Sequence, residues 1–179
     1  NWNPKQPSMV AFEEMKIYGA FVNATLDATV KLDSTLTIDN ARLTVDPVKI
    51  EDMLDILPDS IRRANRLLPP YFTTDGAIGL TAELDSPFTP ERDSIPRAHA
   101  VVSMKDCKVH YGQAELRQLG FDIEAAVNGP DLNTASVNIR RLEAAGPATH
   151  LRISGTAHNL LADPDFKGVV VGDIELRKL

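Results

Sequence analysis

Cysteine occurs once in the 179 residues, at Cys107, so neither an intramolecular disulfide nor a thiolate metal site is available. Aromatic residues make up only 6%, which disfavours aromatic-lined platforms for sugars or bases. Basic residues are in the minority. The 19 Lys+Arg against 25 Asp+Glu leave a formal net charge of −6, a poor basis for binding a phosphate backbone, which needs a net basic face. No apolar run approaches the ~18 residues that a membrane-spanning helix requires. Apolar residues (43%) and charged residues (25%) occur in ordinary amounts, and the length suits one domain.

The information lies in spacing. From Tyr18, the even positions Ala20, Val22, Ala24, Leu26, Ala28, Val30 and Leu32 are all apolar. The intervening positions Asn23, Thr25, Asp27, Thr29, Lys31 and Asp33 are polar or charged. A period of two predicts a sheet with one apolar and one wetted face. Fifteen residues at ~3.3 Å each would span roughly 50 Å, too long for one strand, so a bend, bulge or tight turn is expected between Asp27 and Ser34. The pattern resumes at Leu36 and Ile38, then changes parity to Leu43 and Val45, which places a bulge or turn at Asp39-Asn40.

Asp46-Pro47 reads as a helix start, with Asp46 as N-cap and Pro47 at the first helical position. Val48, Ile50, Met53, Leu54 and Leu57 follow at helical spacing until Pro58. Asp59 or Ser60 would cap a second helix carrying Ile61, Ala64, Leu67 and Leu68, stopped by Pro69-Pro70. The reading is a helical hairpin over about residues 47–68, inserted between sheet segments.

Alternation returns at Ile78, Leu80, Ala82 and Leu84, and after the proline-bearing segment 87–96 at Ala98, Ala100, Val102 and Met104. Cys107, Val109 and Tyr111 continue on the other parity, so Asp106 marks a turn or bulge. Leu119 to Val127 form a further run, stopped by Asn128-Gly129-Pro130. Ala135 to Ile139, Leu151 to Ile153 and Val170 to Leu176 complete the set. Many short strands predict a mainly β fold (β-rich α+β): a long antiparallel, curved sheet with one apolar face and the inserted hairpin, in a single domain over 1–179.

No catalytic or metal signature emerges. His99, His110, His150 and His158 are scattered, without HxH or HExxH spacing. No serine sits in a GxSxG elbow. Cys107 has no partner constellation and reads as a strand cysteine. Glu51-Asp52 suits the first turn of a helix, and Asp163-Pro164-Asp165 reads as a turn. Arg62, Arg63 and Arg66 form the one basic cluster, either a solvated helix face or a contact for anionic headgroups. The expectation is no enzyme, no cofactor and no metal.

The C-terminal stretch LRISGTAHNLLADPDFKGVVVGDIELRKL, residues 151–179, resembles the AsmA family of bacterial envelope proteins. Leu151, Ile153, Gly155, Ala157, Leu160, Leu161, Asp163, Pro164 and Gly168 match that family's phrase of strand, glycine, short "NLL-DP" link and strand. The segments MKDCKVHYG, LRQLGFDIEAAVN and LNTASVNIRRLEAA, and MKIYGAFVNATLDATVKL near the start, resemble the same small-residue-rich strands. The resemblance implies a periplasmic segment of a longer protein anchored in the inner membrane of a Gram-negative bacterium by an N-terminal helix. It implies one part of an apolar β-groove for phospholipid handling and outer-membrane biogenesis, whose partners are phospholipid acyl chains and neighbouring β segments of the same protein, with no nucleic acid. The residues expected on the lining face are Tyr18, Val22, Leu26, Val30, Ile78, Leu80, Leu84, Phe121, Ile123, Val127, Val137, Ile139, Val170 and Ile174. Three alternatives stay open: the face packs as plain core; the chain is a scaffolding module that joins partners through strand edges without lipid; or it is an enzyme, for instance a glycan hydrolase on a β-sandwich, which would need two facing carboxylates that no feature of the sequence selects.

Overall fold

The structure, a computed structural model, describes residues 8–20, 22–56, 72–93, 95–112, 114–160 and 163–175. The described residues form one antiparallel, curved, unclosed sheet of ten strands. In chain order these are β1 (Ser8–Tyr18), β2 (Asn23–Leu32), β3 (Leu36–Lys49), the helix α1 (Ile50–Ile56), β4 (Phe72–Thr74), β5 (Ala77–Leu84), β6 (Arg97–Tyr111), β7 (Ala114–Asn128), β8 (Ser136–Ala145), β9 (Thr149–His158) and β10 (Asp165–Ile174). Nine of them follow one another across the sheet in sequence order, while short β4 pairs with the far end of β6. Apart from β4, each strand therefore meets the next one along the chain, the cheapest arrangement in loop entropy. β1 and β10 are the two edges.

Two of the irregularities read from parity are present. Asp39 is extra in the β2–β3 ladder, where Thr29 faces Asn40 and Val30 faces Ile38. At Asp106 the β6–β7 ladder shifts register between Met104 and Cys107. Each bulge absorbs one change of phase, so the apolar residues on both sides of it stay on one face. The bend expected near Ser34 is the turn between β2 and β3.

The start of the chain differs from its pattern. The alternation from Tyr18 to Leu32 is not one strand: β1 ends at Tyr18, and Gly19 N–H donates to Val22 O (2.8 Å) in a hairpin turn. Tyr18 pairs with Asn23 and so lies on the polar face, while Val22 sits in the turn. A further bulge at Glu13-Glu14 keeps Val10 and Phe12 on the same face as Met15 and Ile17.

The inserted hairpin also differs. Asp46-Pro47 does not begin a helix; it is a bulge in β3, beyond which Val48 pairs with Ile78. A proline without an N–H is tolerated where the ladder is already interrupted. The helix begins only at Ile50, whose N–H donates to Gly76 O (2.9 Å), and ends at Ile56. The second helix expected near 59–68, with Arg62, Arg63 and Arg66, falls outside the described residues.

Packing is concentrated in one place. Met104, Cys107 and Val109 are buried, with Ile50, Ile78, Leu116, Leu119 and Phe121 packed around them. That cluster lies where α1 returns to the sheet. Elsewhere the described residues form a single layer, and no large side chain among them is fully buried.

Candidate functional site

Cross-strand partners in an antiparallel ladder share a face, so the registers define which residues lie together. From Leu26 the row runs through Leu43, Ala82, Ala100, Ala125, Val137, Ala157 and Phe166. A second row joins Val45, Leu80, Val102, Ile123, Ile139, Gly155 and Gly168. A third joins Val48, Ile78, Met104, Phe121, Leu142, Ile153 and Val170. One apolar face thus runs from β1 to β10.

Twelve of the fourteen positions expected on this face belong to it: Leu26, Val30, Ile78, Leu80, Leu84, Phe121, Ile123, Val127, Val137, Ile139, Val170 and Ile174. Tyr18 and Val22 do not, for the reason given by the first hairpin. Exposure varies along it. The central positions Ile78, Leu80, Phe121, Ile123, Val137 and Ile139 are half-buried. At the edges, Val10 is 40% and Val170 66% exposed. Away from α1, the face has no second protein layer among the described residues.

A hollow of about 360 Å³ lies on this face, at the β8–β10 end. Val137, Ile139, Ile153, Ala157, Leu160 and Phe166 are among the residues that line it. Its volume falls in the range of small-ligand sites. The cause is local. Gly155 and Gly168 are direct partners on β9 and β10, so two adjacent positions in the floor carry no side chain. The backbones approach closely there: a Cβ on Gly155 would stand 2.6 Å from Lys167 O and 2.8 Å from Gly168 Cα. Leu160 enters from the β9–β10 link, which turns at Asn159 with φ 54°. The sequence showed both glycines, but not that they face each other.

The opposite face is held by charge. Glu143 on β8 is only 5% exposed. Its carboxylate accepts from Arg152 on β9 and from Arg141 (3.2 Å). Arg141 also donates to Asp106 (2.8 Å), which accepts from Gln118 (2.9 Å). Gly120 makes room for this chain, since a Cβ there would collide with the Asp106 carboxylate. The hydrogen bond from Arg152 holds the Glu143 carboxyl below its ordinary pKa, against the opposing effect of burial. The bond to Asp106 raises Arg141 further above its ordinary value. Arg42–Glu83 (3.0 Å), Lys31–Asp39 (3.0 Å) and Arg140–Glu124 (2.7 Å) continue the pattern. Sequence reasoning missed the Glu143 clamp. Its signal was the charge at alternate positions 141 and 143 on β8 and at 152 on β9.

The scattered chemistry does not converge. No group of three His, Cys, Asp or Glu side chains among the described residues could hold a metal ion. His99 Nδ1 lies 2.6 Å from Asp85 Oδ1 on a partly exposed surface. Cys107 is buried between Thr74 Oγ1 (3.7 Å) and Met104 Sδ (3.8 Å). Asp163 lies in the turn that leads into β10. What the arrangement can do is present a broad apolar surface with a hollow floored by two glycines. Comparison with protein-family models, curated proteins and solved structures finds no match.

Proposed function

We propose that the chain is a non-enzymatic segment of an AsmA-like envelope protein, forming part of a hydrophobic groove for phospholipids. In this reading the apolar face receives acyl chains, and the polar face is turned to water. The observation that carries it is the apolar face that spans nine strands and, away from α1, has no second layer among the described residues. A face of that kind needs a cover. An acyl chain laid along it gains about 0.8 kcal/mol per buried methylene. The hollow at Gly155 and Gly168 is the candidate seat for a chain end. A periplasmic location, an inner-membrane anchor elsewhere in a longer protein and a role in outer-membrane biogenesis follow from the resemblance and belong to the same proposal.

The test is direct. Purified chain is extracted with organic solvent, and the extract is analysed by mass spectrometry. A photoreactive amino acid at Ile123 or Ile139 should crosslink to a phospholipid carrying a labelled acyl chain, and one at Thr81 on the polar face should not. Absence of co-purified lipid, together with equal labelling at the two faces, would refute the groove.

A second reading, an envelope scaffolding module without lipid, is favoured by one observation: the largely apolar, bulge-free edge at β10.

A further inference from the structure

The sheet's two edges are built differently. β1 is interrupted at Glu13-Glu14, where Glu14 has φ 48° and its N–H donates to Asp27 Oδ1 (2.8 Å). A mid-strand bulge with two acidic residues blunts an edge against further pairing. β10 has no bulge, and its only charges are Asp165, Lys167 and Asp173. All ten residues from Asp165 to Ile174 pair with β9 without a register shift, and none is proline. Phe166, Val170 and Ile174 on the apolar face are 62–69% exposed, and Val169 and Val171 on the other face are 55–61% exposed. A strand apolar on both faces is the pattern of an interior strand.

We propose that β10 pairs antiparallel with β10 of a second copy of this chain, with Val170 on the two-fold axis. This deepens the scaffolding reading and does not depend on lipid. The two apolar faces stay on one side only when residues of equal parity stand opposite. Centred on Val170, Lys167 faces Asp173, Phe166 faces Ile174, Gly168 faces Gly172, and Val169 faces Val171, each pair occurring twice. Opposite charges then meet on one face, and the aromatic meets a β-branched residue on the other. Centring on Val169 would set Asp165 against Asp173, and centring on Val171 would set Asp173 against Val169. In the favoured register Asp165 meets Glu175 just past the strand, so the ladder is confined to 166–174.

Direction selects a second β10 rather than β1. Eight successive antiparallel pairings leave β1 and β10 running the same way. Head-to-tail stacking would therefore need a parallel ladder against the blunted edge, and it would not close. The two-fold pairing uses both open edges and stops at two copies. It also makes one apolar face continuous across both.

The experiment is sedimentation or light scattering on the delipidated chain over a concentration series. The expected mass is twice 19.6 kDa, falling to the monomer on dilution. Lys167→Asp and Asp173→Lys should each weaken association roughly tenfold, and the double exchange should restore it. Val170→Cys should form an interchain disulfide on mild oxidation. Phe166→Cys should not, because its two copies would lie ~27 Å apart. A monomer at high micromolar concentration, association that appears only with added lipid, or a dimer indifferent to the charge exchanges would each overturn the proposal.

Discussion

Gly155 on β9 and Gly168 on β10 stand directly opposite each other, and between them they open the apolar face. A Cβ at Gly168 would meet Ser154 O at 3.2 Å, so a side chain there needs only a small shift of its neighbour. Gly168→Val should keep the fold, since valine suits a strand. Its branched side chain should fill the hollow and lower the uptake of a fluorescent acyl probe several-fold. Circular dichroism alongside a probe titration checks it; unchanged uptake with the fold intact would show that the hollow holds no chain.

Stability should be concentrated beneath α1. Met104 is 2% exposed in the main packed cluster, and Met104→Ala should cost about 2–5 kcal/mol in urea unfolding. Val170 is 66% exposed, so Val170→Ala should change stability by less than about 0.5 kcal/mol when measured on the dilute monomer. Similar losses at the two sites would mean that the apolar face is covered more evenly than its exposure shows.

The Glu143 clamp should give the fold an acid limit. Its carboxyl titrates lower in the folded chain than in the unfolded one, so the unfolded chain takes up the proton first as pH falls. The contribution is complete above the ordinary carboxylate range and is lost as pH falls through the folded value. Glu143→Gln should lower the melting temperature at neutral pH and flatten the melting temperature's decline in acid. Thermal melts of both proteins from pH 7 to pH 3 decide this; parallel curves would place the acid sensitivity elsewhere.

The sheet was legible because its signal is local. Alternation at Leu26–Val30, Ile78–Leu84 and Phe121–Val127 depends only on which side of a strand meets water. Parity changes at Asp39 and Asp106 exposed bulges for the same reason. Tyr18 was misplaced because a short turn can continue an alternating pattern by chance, and chain reversal leaves no mark on parity. Asp46-Pro47 carries the chemistry of a helix start, but the pairing of Val48 with Ile78 outweighs it. The hollow and the clamp were illegible for one shared reason. Each depends on which residues stand opposite across a ladder, and the spacing along a single strand does not contain that.

The bulges have a consequence for how this chain tolerates loss. Deleting one residue inside a strand normally turns everything beyond it inside out. At Glu14 or Asp39 the extra residue has no register partner on the neighbouring strand, so its removal straightens a kink and leaves the remaining side chains facing as before. Such sites are places where the gene can shed a codon without exchanging the wet and dry sides of the sheet.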